Sequence, residues 1–182
     1  MEYYCAMVLT GKEKSVKDAA LKALQDQCPT ANFYTFERRL YTKKRGWFDA
    51  PLFPGYIFFT LETLTPKILE TLKKIKGFYH VLRDNQNPTQ IQGQALEELK
   101  LFIRNGEHWG ISKIQFLPGQ KINAISGPLV GLEGNIIAVN KKKKQITVQS
   151  TLTNDGKKFD LLYEDVEVVE TSSSFGISEF KI

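Results

Sequence analysis

Apolar positions along the chain follow two different rules, and the rule changes near residue 105. Residues 2–9, Glu2-Tyr3-Tyr4-Cys5-Ala6-Met7-Val8-Leu9, are nearly continuous in apolar side chains and predict a central strand. After the turn Thr10-Gly11-Lys12, Ser15 reads as the N-cap of a helix carrying Val16, Ala19, Ala20, Ala23 and Leu24 on one face; Pro29 ends that region. Residues 32–41 alternate well enough for a second strand. Residues 42–49 read as a basic loop or hairpin with Trp47 and Phe48 at its tip. Tyr56 to Leu61 is aromatic and β-branched, the composition of a core strand. Thr65-Pro66 starts a second helix, with Ile68, Leu69, Leu72 and Ile75 at helical spacing and Gly77 as its stop. A short strand over 78–82 follows. A third helix spans about 95–105, with Leu96, Leu99, Phe102 and Ile103 inward.

The predicted order over residues 1–105 is β-α-β-β-α-β-α, an α/β (α+β) sandwich on a mainly antiparallel sheet. Residues 106–115 show no periodicity and read as a linker. From residue 116 the helical pattern is gone, and glycines recur at 119, 127, 131 and 134. Short strands at 121–125, 134–139 and 145–149 are separated by turns, with Lys141 to Lys144 at a hairpin tip. That pattern predicts a small all-β barrel over 116–170. A loosely held tail, 171–182, closes the chain.

Between the basic loop and the core strand lies Ala50-Pro51-Leu52-Phe53-Pro54-Gly55-Tyr56. Two prolines fix φ and remove two donors, and Gly55 can take φ angles that Phe53 and Tyr56 cannot. A rigid turn carrying aromatics therefore feeds the core strand. On composition alone Phe53 and Tyr56 read as core residues.

Composition adds bounds rather than detail. The chain has 182 residues, 42% apolar and 25% charged, enough for one large or two small domains with a real core. Its net charge of +5 is unevenly placed: residues 12–45 hold nine basic against four acidic side chains, while residues 106–182 balance. A localised basic patch is the footprint of a polyanion contact, and equally that of a solvated face. No phosphate-cradling glycine loop, helical His-Glu pair or nucleophile with a base is present, so a non-enzymatic protein is expected. Cys5 and Cys28 have no ligand-like spacing with His80 or His108, and neither a metal, a cofactor nor a disulfide framework is expected. No run approaches the roughly 20 apolar residues of a membrane span, so the expected protein is soluble, cytoplasmic and monomeric.

Two motifs carry a family resemblance. Pro51-Leu52-Phe53-Pro54-Gly55-Tyr56, following a basic loop, is similar to the signature turn of the NusG family of transcription elongation factors. Ile125-Ser126-Gly127-Pro128-Leu129-Val130-Gly131-Leu132-Glu133-Gly134 is similar to that family's KOW motif, with Gly127, Pro128, Gly131 and Gly134 as its turn residues. The resemblance covers roughly residues 2–170. It implies an N-terminal domain that docks on the clamp helices of RNA polymerase through an apolar depression. The match places Phe53, Pro54, Gly55 and Tyr56 there, with Tyr3 and Tyr4 on the adjacent strand, and it shifts Phe53 and Tyr56 from core to contact, held outward by the Pro-Gly pair. The same position gives the basic patch a target, the non-template DNA strand or a nascent RNA hairpin. Lys12, Lys14, Lys17, Arg38, Arg39, Lys43, Lys44 and Arg45 are the candidate phosphate contacts, and Trp47 or Phe48 the candidate for stacking on an unpaired base.

One departure separates the chain from the family's housekeeping members. Where those carry a Phe-Gly-Arg-like tip that contacts Rho or a small ribosomal-subunit protein, this chain has Thr153-Asn154-Asp155. The resemblance then implies a specialised paralog, similar to the LoaP, RfaH and UpxY members, acting as an operon-specific antiterminator that suppresses pausing and termination. The alternatives are a general NusG that recruits Rho or the ribosome and, in another class, a ribosome-associated or free RNA-binding module.

Overall fold

A computed structural model of the chain describes residues 1–82, 88–153 and 156–166. The expected tail, 171–182, lies outside them, as do Asn154 and Asp155.

The N-terminal part runs β1 (Glu2–Val8), α1 (Glu13–Leu24), β2 (Asn32–Tyr34), β3 (Glu37–Thr42), β4 (Gly46–Pro51), β5 (Tyr56–Leu61), α2 (Pro66–Lys73), β6 (Phe78–Val81) and α3 (Gly93–Asn105). Strands β2-β5-β1-β6 form one antiparallel sheet. Alternation along β5 gives that sheet two filled faces. Ile57 and Phe59 point into a core with Val16 and Leu24 of α1 and Leu69 and Leu72 of α2; Phe58 points the other way.

Three local readings change. Helix α1 begins at Glu13, and Ser15 is not its cap. The carboxylate of Glu13 accepts instead from the backbone N–H of Gly11 and of Gly55, tying the helix start to the Pro-Gly turn. Only Val16, Ala20 and Leu24 are buried on it, a stripe of every fourth residue, while Ala19 and Ala23 stay exposed. Residues 32–41 are two strands rather than one. The break at Thr35-Phe36 is pinned by Glu107, whose carboxylate accepts from Thr35 N–H and whose carbonyl accepts from Glu37 N–H. Trp47 and Phe48 sit within β4, paired with β3, so the hairpin tip is purely basic.

The segment expected as a linker is also structured. Its β7 (His108–Trp109) pairs parallel with β3, and β8 (Ser112–Leu117) pairs with the C-terminal strands. Trp109 is 2% exposed and donates from Nε1 to the carbonyl of Gly106. Two-residue strands are too short to leave a period in sequence.

The C-terminal part adds β9 (Lys121–Ser126), β10 (Ile136–Asn140), β11 (Gln145–Gln149) and β12 (Lys158–Asp165) to β8, in the order β10-β11-β12-β8-β9. The expected all-β part is thus a five-stranded sheet with β9 and β10 at its edges. Ile122 and Ile136 of those edges line a shared cleft of about 330 Å³.

The two parts share a core. Phe36, Leu52, Phe53, Phe58, Leu99 and Phe102 from the N-terminal side pack with Ile146, Val148, Phe159 and Leu161 of the C-terminal sheet.

Candidate functional site

Backbone hydrogen bonds hold the shape of the Pro51–Tyr56 turn. Tyr56 N–H donates to Phe53 O, Val8 N–H to Gly55 O, and Gly55 N–H to Glu13. Gly55 has φ +82°, which favours glycine, and a Cβ there would stand 2.9 Å from Thr10 Oγ1 and push that hydroxyl aside.

This turn does not hold Phe53 outward. Its ring is 3% exposed and lies 5.1 Å from Phe58, 5.6 Å from Phe102 and 5.9 Å from Phe159, centroid to centroid. Tyr56 is half-buried and shares with Phe53 the wall of a cleft of about 220 Å³ that also takes in Glu13 and Lys14. Of the two tyrosines on β1, Tyr3 packs against the same aromatic cluster. Tyr4 faces the opposite side of the sheet, stacked on Phe59 with its hydroxyl donating to Glu2, and is not brought to the turn. Pro54 and Gly55 hold the backbone between them.

The C-terminal sheet covers the cluster through contacts with β3 and α3. Phe159 meets Phe53, Phe102 and Trp109 at 5.9–6.2 Å. The Arg38 guanidinium lies 5.9 Å from the Phe159 ring, with its Nε buried and unpartnered among the described residues. Burial pulls the pKa of Arg38 down, and the nearby Asp160 carboxylate acts in the opposite sense. On α3, Glu98 is 7% exposed and accepts at Oε2 from both Thr151 N–H and Thr151 Oγ1, at 2.8 and 2.5 Å. Asn105 donates to Pro128 O.

The KOW-like glycines divide by role. Gly127 (φ +89°) leaves no room for a Cβ, which would lie 2.7 Å from Ser112 Cα. Gly131 (φ +87°) presses against Leu101 of α3, while Gly134 faces open space. Thr153 is buried.

The basic residues separate into free and committed groups. Lys43, Lys44 and Arg45 are exposed at the β3–β4 tip, Arg45 lying 4.3 Å from the Phe48 ring. Arg39 pairs with Asp49 at 3.3 Å and lies 5.8 Å from the Trp47 ring. Trp47, Arg39, Asp49, Glu37, His108 and Trp109 line a second cleft of about 560 Å³. Lys12 is exposed at the start of α1, and Lys14, exposed beside it, pairs with Glu37 at 2.8 Å, which raises its pKa. Lys17 is a structural cation, 2.5–2.6 Å from both carboxylate oxygens of Glu107, and Arg38 faces the C-terminal sheet. Neither is presented to a phosphate. Among the described residues no cluster of three or more His, Cys, Asp or Glu is placed to hold a metal ion, and no helix is long and apolar enough to cross a membrane.

Glu98, Glu107, Trp109 and Phe159 were not singled out by sequence pattern. The available signal was a carboxylate beside Leu99 on the inward face of a helix, where an unpaired charge is costly.

Comparison with known proteins agrees with this architecture. The family model for "Transcription termination factor nusG" matches residues 1–100, more than half of the chain. Two proteins from Xylella fastidiosa, strains 9a5c and Temecula1, both described as transcription termination/antitermination protein NusG, are each 25% identical over 142 residues, 72% of this chain and 75% of theirs. The solved structure of Thermotoga maritima NusG, described for its domain interaction, superposes with a TM-score of 0.57 at 16% identity, covering 88% of this chain and 93% of that one, and so shares the fold. With its signature turn, its glycine-rich C-terminal loop and a matching N-terminal half, the chain belongs to the NusG family of transcription termination and antitermination factors.

Proposed function

We propose that this protein is an operon-specific antiterminator that binds the clamp helices of elongating RNA polymerase and suppresses pausing and termination. In this reading the docking face is Tyr3, Phe53, Pro54, Gly55 and Tyr56, and the C-terminal sheet is a small KOW barrel whose edges meet across the Ile122–Ile136 cleft. The observation that carries it is the contact of Phe53 with Phe159. A turn covered by the chain's own C-terminal sheet suits a factor recruited only where something uncovers it. Thr153, where housekeeping members carry an apolar and basic tip, supports the same reading and argues against Rho or ribosome recruitment. The basic tip Lys43-Lys44-Arg45 would then meet the non-template strand or a nascent RNA hairpin. Such a factor works in the cytoplasm.

The test is transcription through a pause and a terminator by bacterial polymerase, with the full chain and with Phe159→Ala. Weak action of the native chain and stronger action of the variant supports the reading. Full activity of the native chain on any template, with measurable Rho affinity, returns it to the general class.

A further inference from the structure

We propose that the cleft beside Trp47 is a binding site for one unpaired guanine of a single strand, deepening the nucleic-acid contact in the reading above and resting on it. The β3–β4 register sets Arg39 opposite Asp49 and Tyr41 opposite Trp47, so all four side chains share one face of the hairpin. Trp47 is 51% exposed, with two side chains against its ring. Tyr41 holds it from one side at 5.2 Å between centroids, and the Arg39 guanidinium lies 5.8 Å away. An aromatic surface left half open to solvent at the wall of a 560 Å³ cleft is a stacking platform, and the cleft is of a size that takes a small ligand.

Charge inside the cleft is balanced. Glu37 is already engaged by Lys14 at 2.8 Å and by His108 Nδ1 at 3.4 Å, and Arg39 answers Asp49. Among the cleft's lining residues a phosphate meets no uncompensated cation; Lys43, Lys44 and Arg45 lie exposed at the tip of the same hairpin. The arrangement suits a strand whose backbone follows the tip while one neutral base turns into the cleft. The Arg39–Asp49 contact is long and exposed, 3.3 and 3.4 Å, and opens at little cost. Opened, it offers a carboxylate acceptor and a guanidinium donor fork in one plane's reach. Guanine is the base that answers both, presenting N1–H and N2–H to a carboxylate and O6 and N7 to an arginine. Adenine and cytosine offer the carboxylate a single amino group, and thymine and uracil a lone imino N–H.

The experiment titrates the full chain against end-labelled single strands, oligothymidine with one central guanine, inosine, adenine or cytosine, at fixed salt, followed by anisotropy. The expected result is about tenfold tighter binding of the guanine strand than of the others, inosine included because it lacks the N2 amino group. Asp49→Asn should erase that ranking, and Trp47→Ala should weaken the guanine strand at least fivefold with an unchanged circular dichroism spectrum. A ribonucleotide series separates RNA from DNA as the source. Equal affinity for all strands, no binding, or an unaltered ranking in Asp49→Asn overturns the proposal. Polymerase co-purification of the same variants is scored separately: a guanine preference without polymerase binding removes the antiterminator reading and leaves the cleft.

Discussion

Phe53 and Phe159 meet edge to face, their ring centroids 5.9 Å apart, one from the Pro-Gly turn of the N-terminal part and the other from β12 of the C-terminal sheet. The residue best placed by sequence for an outside partner is thus held by an inside one. Substituting Phe53 with alanine therefore does two things at once. It removes a buried aromatic that meets four other rings and should cost about 3–5 kcal/mol of stability, read from denaturant midpoints, whatever it does to partner binding. Tyr56, half-buried at the same turn, is the cleaner probe of docking. Tyr56→Ala should lower polymerase co-purification with a smaller loss of stability, and unchanged co-purification would remove the turn from the docking face.

Glu98 and Thr151 form a polar tie across the two parts. Thr151→Val deletes one of two donors to a buried carboxylate and should destabilise by about 1–3 kcal/mol. Because the tie runs between the two parts, the loss should also appear as faster proteolysis near Gly110. Stability loss without any change in cleavage would show that the two parts stay together without it.

The glycines of the KOW-like loop should not be equivalent. Gly127→Ala drives a Cβ to 2.7 Å from the Ser112 backbone at a φ that L residues avoid, and should lower the melting temperature sharply; Gly134→Ala meets open space and should leave it within a degree or two. Equal effects would contradict the packing of this loop.

Two lysines of the basic segment should likewise part company. Lys17→Ala strips Glu107 of its cation and loosens the corner at Thr35, a stability loss of about 1–2 kcal/mol with no change in the salt dependence of nucleic-acid binding. Reversing Lys43, Lys44 and Arg45 should do the opposite, flattening the salt slope at unchanged stability. Unaltered crosslinking to DNA and RNA after that reversal would make the tip a solvated face.

Burial pushes the Cys5 thiol far above its ordinary pKa. The folded thiolate is disfavoured, so the native protein should resist alkylation at Cys5 until it unfolds. The sign of the linkage follows. The contribution is fully present below the unfolded thiol's pKa, about 8.5, and stability falls as pH climbs beyond it. Alkylation of Cys5 at the unfolded rate in native buffer would contradict this burial.

Long periodic elements were readable in sequence. Thr65 caps α2 as its position before Pro66 indicates, its hydroxyl accepting from Ile68 N–H, and Gly106 ends α3. What escaped reading was set by partners distant in the chain. A single carboxylate, Glu107, splits residues 32–41 into two strands, and nothing near residue 35 announces it. β7 is too short for a period and exists because β3 offers an edge. At the site the turn and the basic tip were visible, since prolines, glycine and charge runs are local signals. The inward position of Phe53 was not, because two of the rings that pack on it, Phe102 and Phe159, lie about fifty and a hundred residues away. The engagement of Lys17 by Glu107 and of Arg38 beside Phe159 is hidden from sequence for the same reason: a count of charges does not reveal which ones already have a partner.

Between β7, paired to β3, and β8, paired to β12, only Gly110 and Ile111 intervene. Two residues at full stretch span about 7 Å, less than the width of one helix. The C-terminal sheet therefore has too short a tether to swing clear of Phe53 while β7 stays zipped. Uncovering the turn must peel β7 from β3 and drag Trp109 out of the aromatic cluster in the same motion. Uncovering then has a threshold, more like a snap fastener than a dial, and any recruiting signal must supply enough to release both contacts at once.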